Sequence, residues 1–478
     1  MGKLFSKLFV GGDLSGIQKF LYNISSSKAA VSLIGRSAYL NDFMKEACDG
    51  LEVVAKGCGV ATKRLYCSGG KFYFLTENTK GVVSAIADFS NNQKKKLWDE
   101  HKGILGFSIS CVPYNEISET QFEVEGCEPT EPGILWKKAN ADFARQKNQK
   151  FKNLLIDDFD KFFEPIPVGG TPKICDVTGI ESSLCYSYEG LTVLPSVKEQ
   201  IEKGKVLSKD RNFRNFEDYA DDTYLGVLRM DVDGLGSRFI KGFKTLDDYQ
   251  TFSDRLVNFF EKEVLNIQRE AEFFNDINII YAGGDDLFAV GRWDKVIDFA
   301  ERIHTETVER FGADGLTISG GVVIVKNKYP IAKAAIQAGE AEDAAKHANG
   351  GAKNAFCMFG RVVSWKDEFA FVKEYKEEFV ELITSSNPPL SKGLLHKIML
   401  YASMAERNKA RRIEGKSEDF SYVWHLPYYL TRYMKDKNEK VQALCHRLRD
   451  SDFIKDARRL QLIALGARWA ELVLKEKV

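Results

Sequence analysis

Two short apolar runs, Asn278–Ala282 and Leu287–Val290, flank Gly283-Gly284-Asp285-Asp286, and that spacing leaves the chain few ways to fold. Runs of Ile, Tyr, Phe and Val of this length read as strands. So short a connection makes them a hairpin, with two carboxylates at its tip. The glycines permit positive φ and let a phosphate approach the backbone. Paired carboxylates suit hard divalent cations, Mg²⁺ or Mn²⁺. A surface turn draws on the same residue types, so the hairpin alone does not separate a metal centre from a loop.

A second acidic strand shifts the balance. The run Tyr224–Met230 leads into Asp231-Val232-Asp233-Gly234. Period two sets Asp231 and Asp233 on one side, with Val232 opposite. A helical segment from Asp247 to Ala271 lies between this strand and the hairpin. Strand, helix, hairpin is the layout of a palm that gathers carboxylates around two metal ions. The layout occurs twice. Asp13-Leu14-Ser15-Gly16-Ile17 matches Asp231-Val232-Asp233-Gly234-Leu235, and Ser68-Gly69-Gly70-Lys71 aligns with Ala282-Gly283-Gly284-Asp285. The first copy keeps the glycines and lacks the acids. Lys71 cannot hold Mg²⁺, although its ammonium suits a triphosphate; a copy that serves only as a folding partner is the alternative.

These residues resemble the Csm/Cmr large-subunit family, the polymerase-like subunit of type III CRISPR effector complexes. Gly283-Gly284-Asp285-Asp286 matches its catalytic motif. Gly12-Asp13-Leu14-Ser15-Gly16-Ile17-Gln18-Lys19-Phe20 and Gly35-Arg36-Ser37-Ala38-Tyr39-Leu40 are similar to its N-terminal signatures. The expected fold is α+β, with two ferredoxin-like, nucleotidyl-cyclase-type palms, a small intervening domain and a C-terminal helical bundle. The expected boundaries are 1–125, 126–220, 221–365 and 366–478. The resemblance implies that ATP is polymerised into 3′-5′ cyclic oligoadenylates when target RNA pairs with a CRISPR RNA held by small and backbone subunits. Asp231 and Asp285 are the expected metal ligands, with Asp286 a ligand or proton acceptor and the Val232 carbonyl a further donor. Asp233, Gly234, Gly283 and Gly284 are expected at the nucleotide, with Asp13, Ser15 and Gly16 added by resemblance alone. In the cyclase-type palm, basic residues at the places of Lys346 and Lys353 hold the triphosphate; a favourable charge at a helix C-terminus is the plainer reading.

Composition bounds the rest. The chain has 478 residues, enough for two to four domains. No run is apolar enough for a membrane span, and the N-terminus lacks a signal core, so a cytoplasmic protein is expected. Nine cysteines at irregular spacing fit reduced thiols. A net charge of +0 does not suggest a globally basic nucleic-acid binder. Cys175 has Thr178 where a second zinc-ribbon cysteine would stand, and Cys185 has no near partner, so no zinc is expected. Many family members begin with a histidine-aspartate nuclease domain; this sequence starts at the first palm with no His-Asp doublet, and that DNase is not expected. Trp136 to Asp160 reads as a solvated helix, Gly169-Gly170-Thr171-Pro172 as loop, Leu194 to Lys209 as a linker helix, and Arg407 to Lys416 as a basic loop-like stretch. The same palm also fits synthesis of an S-adenosylmethionine–AMP conjugate or a cyclic dinucleotide. A structural scaffold with a silent palm is the non-enzymatic alternative, against which the intact Asp231, Asp285 and Asp286 argue.

Overall fold

The computed structural model describes residues 5–24, 28–101, 103–157, 159, 172–219, 224–326, 328–385, 390–434 and 438–476. Gly169-Gly170-Thr171, expected as loop, lies outside the described residues. The fold is α+β, in two compact units: Met1–Ile318 with Val325–Gly339, and Ser319–Ile324 with Glu340–Val478. Among the described residues, no helix is long and apolar enough to cross a membrane.

The first unit opens with strands β1 (Lys7–Ser15), β2 (Lys63–Ser68), β3 (Lys71–Glu77), β4 (Gly106–Ser118) and β5 (Gln121–Val124), ordered β2-β3-β1-β4-β5. β1 is buried from Leu8 to Leu14 because both sheet faces are covered. Leu8, Val10 and Leu14 pack with helix Ala29–Gly57 through Phe43, Met44 and Leu51. Phe9 faces the other way, against Trp136 of helix Gly133–Lys147. The helix expected to be solvated is therefore amphipathic. It buries Leu135, Trp136, Ala139 and Phe143, ends at Lys147, and is followed by a separate turn of helix, Lys152–Asp157.

Four short strands come next: β6 (Lys173–Ile174), β7 (Glu181–Ser182), β8 (Tyr186–Tyr188) and β9 (Leu191–Val193), paired as two hairpins. Cys175 and Cys185 lie in a small apolar core with Val177, Val193, Val197 and Ile201. Helix Pro195–Asp210 is more than a linker. It crosses Ala29–Gly57 at backbone contact, because a Cβ on Gly35 would stand 1.7 Å from the Gln200 carbonyl oxygen, and one on Gly204 would stand 2.0 Å from that of Val31. Beside the crossing, Arg36 is buried and donates to the carbonyls of Phe20 (2.6 Å) and Asn23 (2.8 Å) and to Gln200 Oε1 (3.2 Å). The Gly35-Arg36 signature is thus a helix-crossing device.

β10 (Tyr224–Val232), β11 (Ile277–Gly283) and β12 (Asp286–Arg292) then repeat the opening pattern, in the order β11-β12-β10 against β2-β3-β1. Asp13 pairs with Lys71 as Asp231 pairs with Asp286. Both hairpins carry a bulge at the same place, between Arg64 and Tyr66 in one and Ile279 and Tyr281 in the other. This register corrects the sequence alignment by one residue. Ser68 matches Gly283, Gly69 matches Gly284, Gly70 matches Asp285, and Lys71 matches Asp286. The bond from Leu14 N to the Gly70 carbonyl (2.9 Å) reappears as that from Val232 N to the Asp285 carbonyl (3.1 Å).

The second unit takes Ser319–Ile324 from β13 (Ile318–Lys326); this stretch runs parallel to β14 (Ala355–Met358), and β15 (Arg361–Ser364) is antiparallel to β14. The helices Glu368–Thr384, Lys392–Ile413, Tyr422–Leu430, Glu439–Arg449, Ser451–Lys455 and Ala457–Glu476 complete it, around a core that includes Phe379, Leu394, Leu426, Leu444 and Ile463. Arg407 to Lys416 is not loop-like. Helix Lys392–Ile413 runs through most of it and stops at Gly415, whose φ of 67° breaks the turn. Trp424 and Tyr428 of helix Tyr422–Leu430 are exposed.

The helix crossing yields a stability test. Gly35→Ala and Gly204→Ala each force backbone apart and should cost about 1–3 kcal/mol. Gly57→Ala meets nothing within 4 Å and should stay within about 0.5 kcal/mol of the parent. Urea titrations of the three variants check this.

Candidate active site and metal centre

β10 delivers Asp231 and β12 delivers Asp286 as directly paired residues, with Asp285 in the turn beside them. One carboxylate oxygen from each of the three lies within 4.8 Å of the others, all half-buried. Three like charges so close repel one another, and an all-oxygen set of this kind fits Mg²⁺ or Mn²⁺. The donor set thus suits the expected ions. Two buried phenols border it. Burial first, then the fields of Asp286 and Asp285, holds the Tyr281 hydroxyl well above its ordinary pKa. Burial and then Asp285 do the same for Tyr66. Both stay neutral and add no further anion.

Asp233 does not join the three. β10 ends at Val232, so the period-two reading stops there, and Gly234 (φ 73°) turns the chain into helix Leu235–Lys241. The Asp233 carboxylate instead accepts the Thr317 hydroxyl at 2.7 Å, while its backbone N–H donates to the Thr317 carbonyl at 2.8 Å. The acids that converge are thus Asp231, Asp285 and Asp286, without Asp233.

At the hairpin tip, Gly284 has φ 69° and Gly283 has no positive φ. The space that glycine frees is filled by protein. A Cβ on Gly284 would stand 2.8 Å from Gly69 Cα, and one on Gly69 would stand 2.7 Å from Gly284 Cα. Gly284 N–H donates to Ser68 Oγ at 3.0 Å, and Ser68 Oγ–H donates to Glu261 Oε1 at 2.8 Å. Neither Ser68 nor Glu261 stands out in the sequence. Glu261 sits in a π turn, Phe259–Glu263, between helices Leu246–Asn258 and Val264–Gln268, and such a turn has no residue signature.

Beside the acids lies a cavity of about 420 Å³, lined among others by Ser15, Gly16, Lys147, Arg229, Tyr281 and Asp286. Ser15 and Gly16 therefore share a space with an acid of the cluster. Asp13 is buried, with Oδ2 2.9 Å from Lys147 Nζ. Lys147 and Arg229 were not singled out from sequence; both sit in ordinary-looking contexts. Lys346 and Lys353 belong to the second unit. Lys346 Nζ lies 2.7 Å from Glu342 Oε1 at the end of helix Ile331–His347. Lys353 and Asn354 both hold left-handed backbone, φ 57° and 49°, a conformation that costs energy in non-glycine residues and gathers at functional sites.

Residues 224–357 match the family described as Cas10/Cmr2, second palm domain, and residues 6–165 match Csm1 subunit domain B. A Cas10/Csm1 protein of Enterococcus italicus is 28% identical over 525 residues, covering 93% of this chain. The chain belongs to the Cas10/Csm1 family, the large subunits of type III CRISPR systems. A Streptococcus thermophilus relative is also 28% identical, over 91% of the chain, and one from Mycobacterium tuberculosis is 26% identical over 83%. All three are named as subtype III-A single-strand-specific deoxyribonucleases of a CRISPR system. The chain spans 67%, 63% and 59% of their respective lengths. Among solved structures, a Csm1–Csm4 cassette in complex with pppApApA is similar with a TM-score of 0.67 and 19% identity, over 97% of this chain and 70% of that one. The cassette in complex with cA4 gives a TM-score of 0.66, also at 19% identity, with the same coverage.

The crowded acids make a prediction that needs no substrate. Asp286→Asn should raise the thermal stability of the metal-free protein by about 1 kcal/mol, the size of one repulsion at 4 Å in a water-like dielectric. It should also reduce the rise in melting temperature that Mn²⁺ gives the parent. Melts in EDTA and in Mn²⁺ measure both effects.

Proposed function

We propose that this chain is the catalytic large subunit of a type III CRISPR RNA-guided effector complex, and that target RNA triggers it to polymerise ATP into cyclic oligoadenylates for antiviral defence. The observation that carries the reading is the convergence of Asp231, Asp285 and Asp286 beside the 420 Å³ cavity. Similarity to Csm1–Csm4 cassettes bound to AMPPNP, to pppApApA and to cA4 supports it, as does membership of the family.

Asp231 and Asp285 are the proposed ligands for Mg²⁺ or Mn²⁺, with the Val232 carbonyl as a further donor and Asp286 as ligand or proton acceptor. Divalent ions in such a centre acidify a 3′-hydroxyl and neutralise charge on a departing pyrophosphate. The 3′-oxygen of one adenylate forms a bond to the α-phosphorus of the next ATP. The bond from that phosphorus to the bridging oxygen breaks, pyrophosphate leaves, and the hydroxyl proton passes to Asp286 or to solvent. The same step within one chain closes the ring. Ser15, Gly16, Gly234 and Gly283 are assigned to nucleotide contacts, and Lys346 and Lys353 to phosphate; the Gly284 N–H is taken up by Ser68 Oγ instead. The Asp13 carboxylate, being ion-paired with Lys147, reaches the nucleotide only through that lysine. CRISPR RNA, a Csm4-like backbone subunit and small helical subunits are the proposed partners, in the cytoplasm.

The test is incubation of the assembled complex with ATP, Mg²⁺ and matched target RNA, followed by mass spectrometry. Cyclic oligoadenylate is expected. Asp285→Ala with Asp286→Ala should lower turnover by more than the roughly 10–100-fold that outer-shell losses cost, with assembly intact. A double variant at the normal rate would move the active site elsewhere, and an adenylate joined to another acceptor would replace the product assignment. Lys353→Ala should mainly raise the ATP KM, whereas Asp231→Ala should mainly lower kcat. Equal kcat losses with unchanged KM would refute that division.

A further inference from the structure

The contact between the two hairpin tips is symmetric in its glycines and asymmetric in its hydrogen bonds. Ser68 and Gly283 occupy equivalent positions. Only Ser68 has a side chain, so the bond to Gly284 N–H has no side-chain counterpart running from the second hairpin to the first. The Ser68 hydroxyl has one hydrogen. That hydrogen points to Glu261 Oε1 at 2.8 Å, which leaves a lone pair for the Gly284 N–H at 3.0 Å. A carboxylate acceptor polarises the hydroxyl and strengthens the second bond. Glu261 Oε2 lies 3.7 Å from Lys45 Nζ of helix Ala29–Gly57.

The π turn explains how Glu261 comes to be there. One extra residue in the turn rotates the next helical segment by about 100° about the helix axis. Phe259 and Phe260 are both buried around it, so the turn is locked by packing. Glu261 contributes to the negative field at Tyr281 together with Asp286 and Asp285. It is thus a fourth carboxylate near the cluster, but its oxygens are turned to Ser68 and Lys45 and it is absent from the metal-compatible group.

We propose that Ser68 of the first palm, backed by Glu261, is a positioning residue for the metal centre. It holds Gly284 in its left-handed conformation and so sets the spacing of Asp285 and Asp286 from Asp231. The degenerate palm then contributes to the chemistry through one hydroxyl. This rests on the reading of Asp231, Asp285 and Asp286 as a divalent-metal site, and the experiment separates the two claims.

The probe is Mn²⁺ binding to the full chain without nucleotide, followed by electron paramagnetic resonance of the free ion, with melts in EDTA as a folding check. Ser68→Ala is expected to weaken Mn²⁺ binding about tenfold, as loss of an outer-shell partner does. Glu261→Ala should do the same. Glu261→Gln keeps an oxygen for the Ser68 hydroxyl and should stay within about threefold of the parent. The double variant Ser68→Ala with Glu261→Ala should be no weaker than either single, because both act through one chain of bonds. Unchanged affinity in Ser68→Ala, additive losses in the double variant, or Glu261→Gln as weak as Glu261→Ala would each overturn the proposal. If Ser68→Ala melts before binding is measurable, the Glu261→Ala and Glu261→Gln pair decides it. A parent chain that binds no Mn²⁺, or one that loses none on Asp285→Ala with Asp286→Ala, would instead sink the metal centre itself.

Discussion

Gly69 and Gly284 touch backbone to backbone, and the arrangement around the acids depends on that contact. Each lies at the tip of a hairpin, each has positive φ, and each occupies the volume that a Cβ on the other would need. Gly69 lines the cavity beside the acids, as do Ser15, Gly16 and Asp286. A duplicated strand-and-hairpin unit folded tip to tip makes a two-sided chamber from one pattern, which one copy alone cannot do.

Electrostatics then sets the cost. Three carboxylates within 4.8 Å oppose folding, and apolar packing around them offsets that repulsion. Ile279, Ile280, Leu287, Phe288, Ala289 and Val290 are all buried along the hairpin. The phenols of Tyr66 and Tyr281 stay protonated through burial and the neighbouring acids. The region thus trades stability for a concentrated negative site, a familiar exchange at functional centres.

Much of this was legible in the residues. The acidic hairpin, the strand bearing Asp231 and the weaker first copy all carry local patterns, and the strand pairing bears them out. What was missed has physical causes. A Gly-Gly pair can be slid by one residue without changing the pattern, so only strand register shows that Lys71 stands at the place of Asp286. Asp233 was put beside Asp231 by an alternation that ends with the strand. Glu261 lies in a run of charges that reads as a solvated face, and a π turn redirects it. A basic run reads as loop at Arg407 to Lys416, yet Arg and Lys are good helix formers and helix Lys392–Ile413 continues through most of it.

The pairing of Asp13 with Lys147 carries a consequence of its own. Asp13 occupies in the first copy the place that Asp231 holds in the second, and its neighbour is an ammonium at 2.9 Å. The first copy therefore carries its counter-ion covalently, on its own helix. Its one buried carboxylate at that place is balanced within the chain. The second copy gathers three acids and, on the proposed reading, takes its counter-charge from solution. Of two units grown from one pattern, one holds its own counter-charge and the other, on the proposed reading, borrows it.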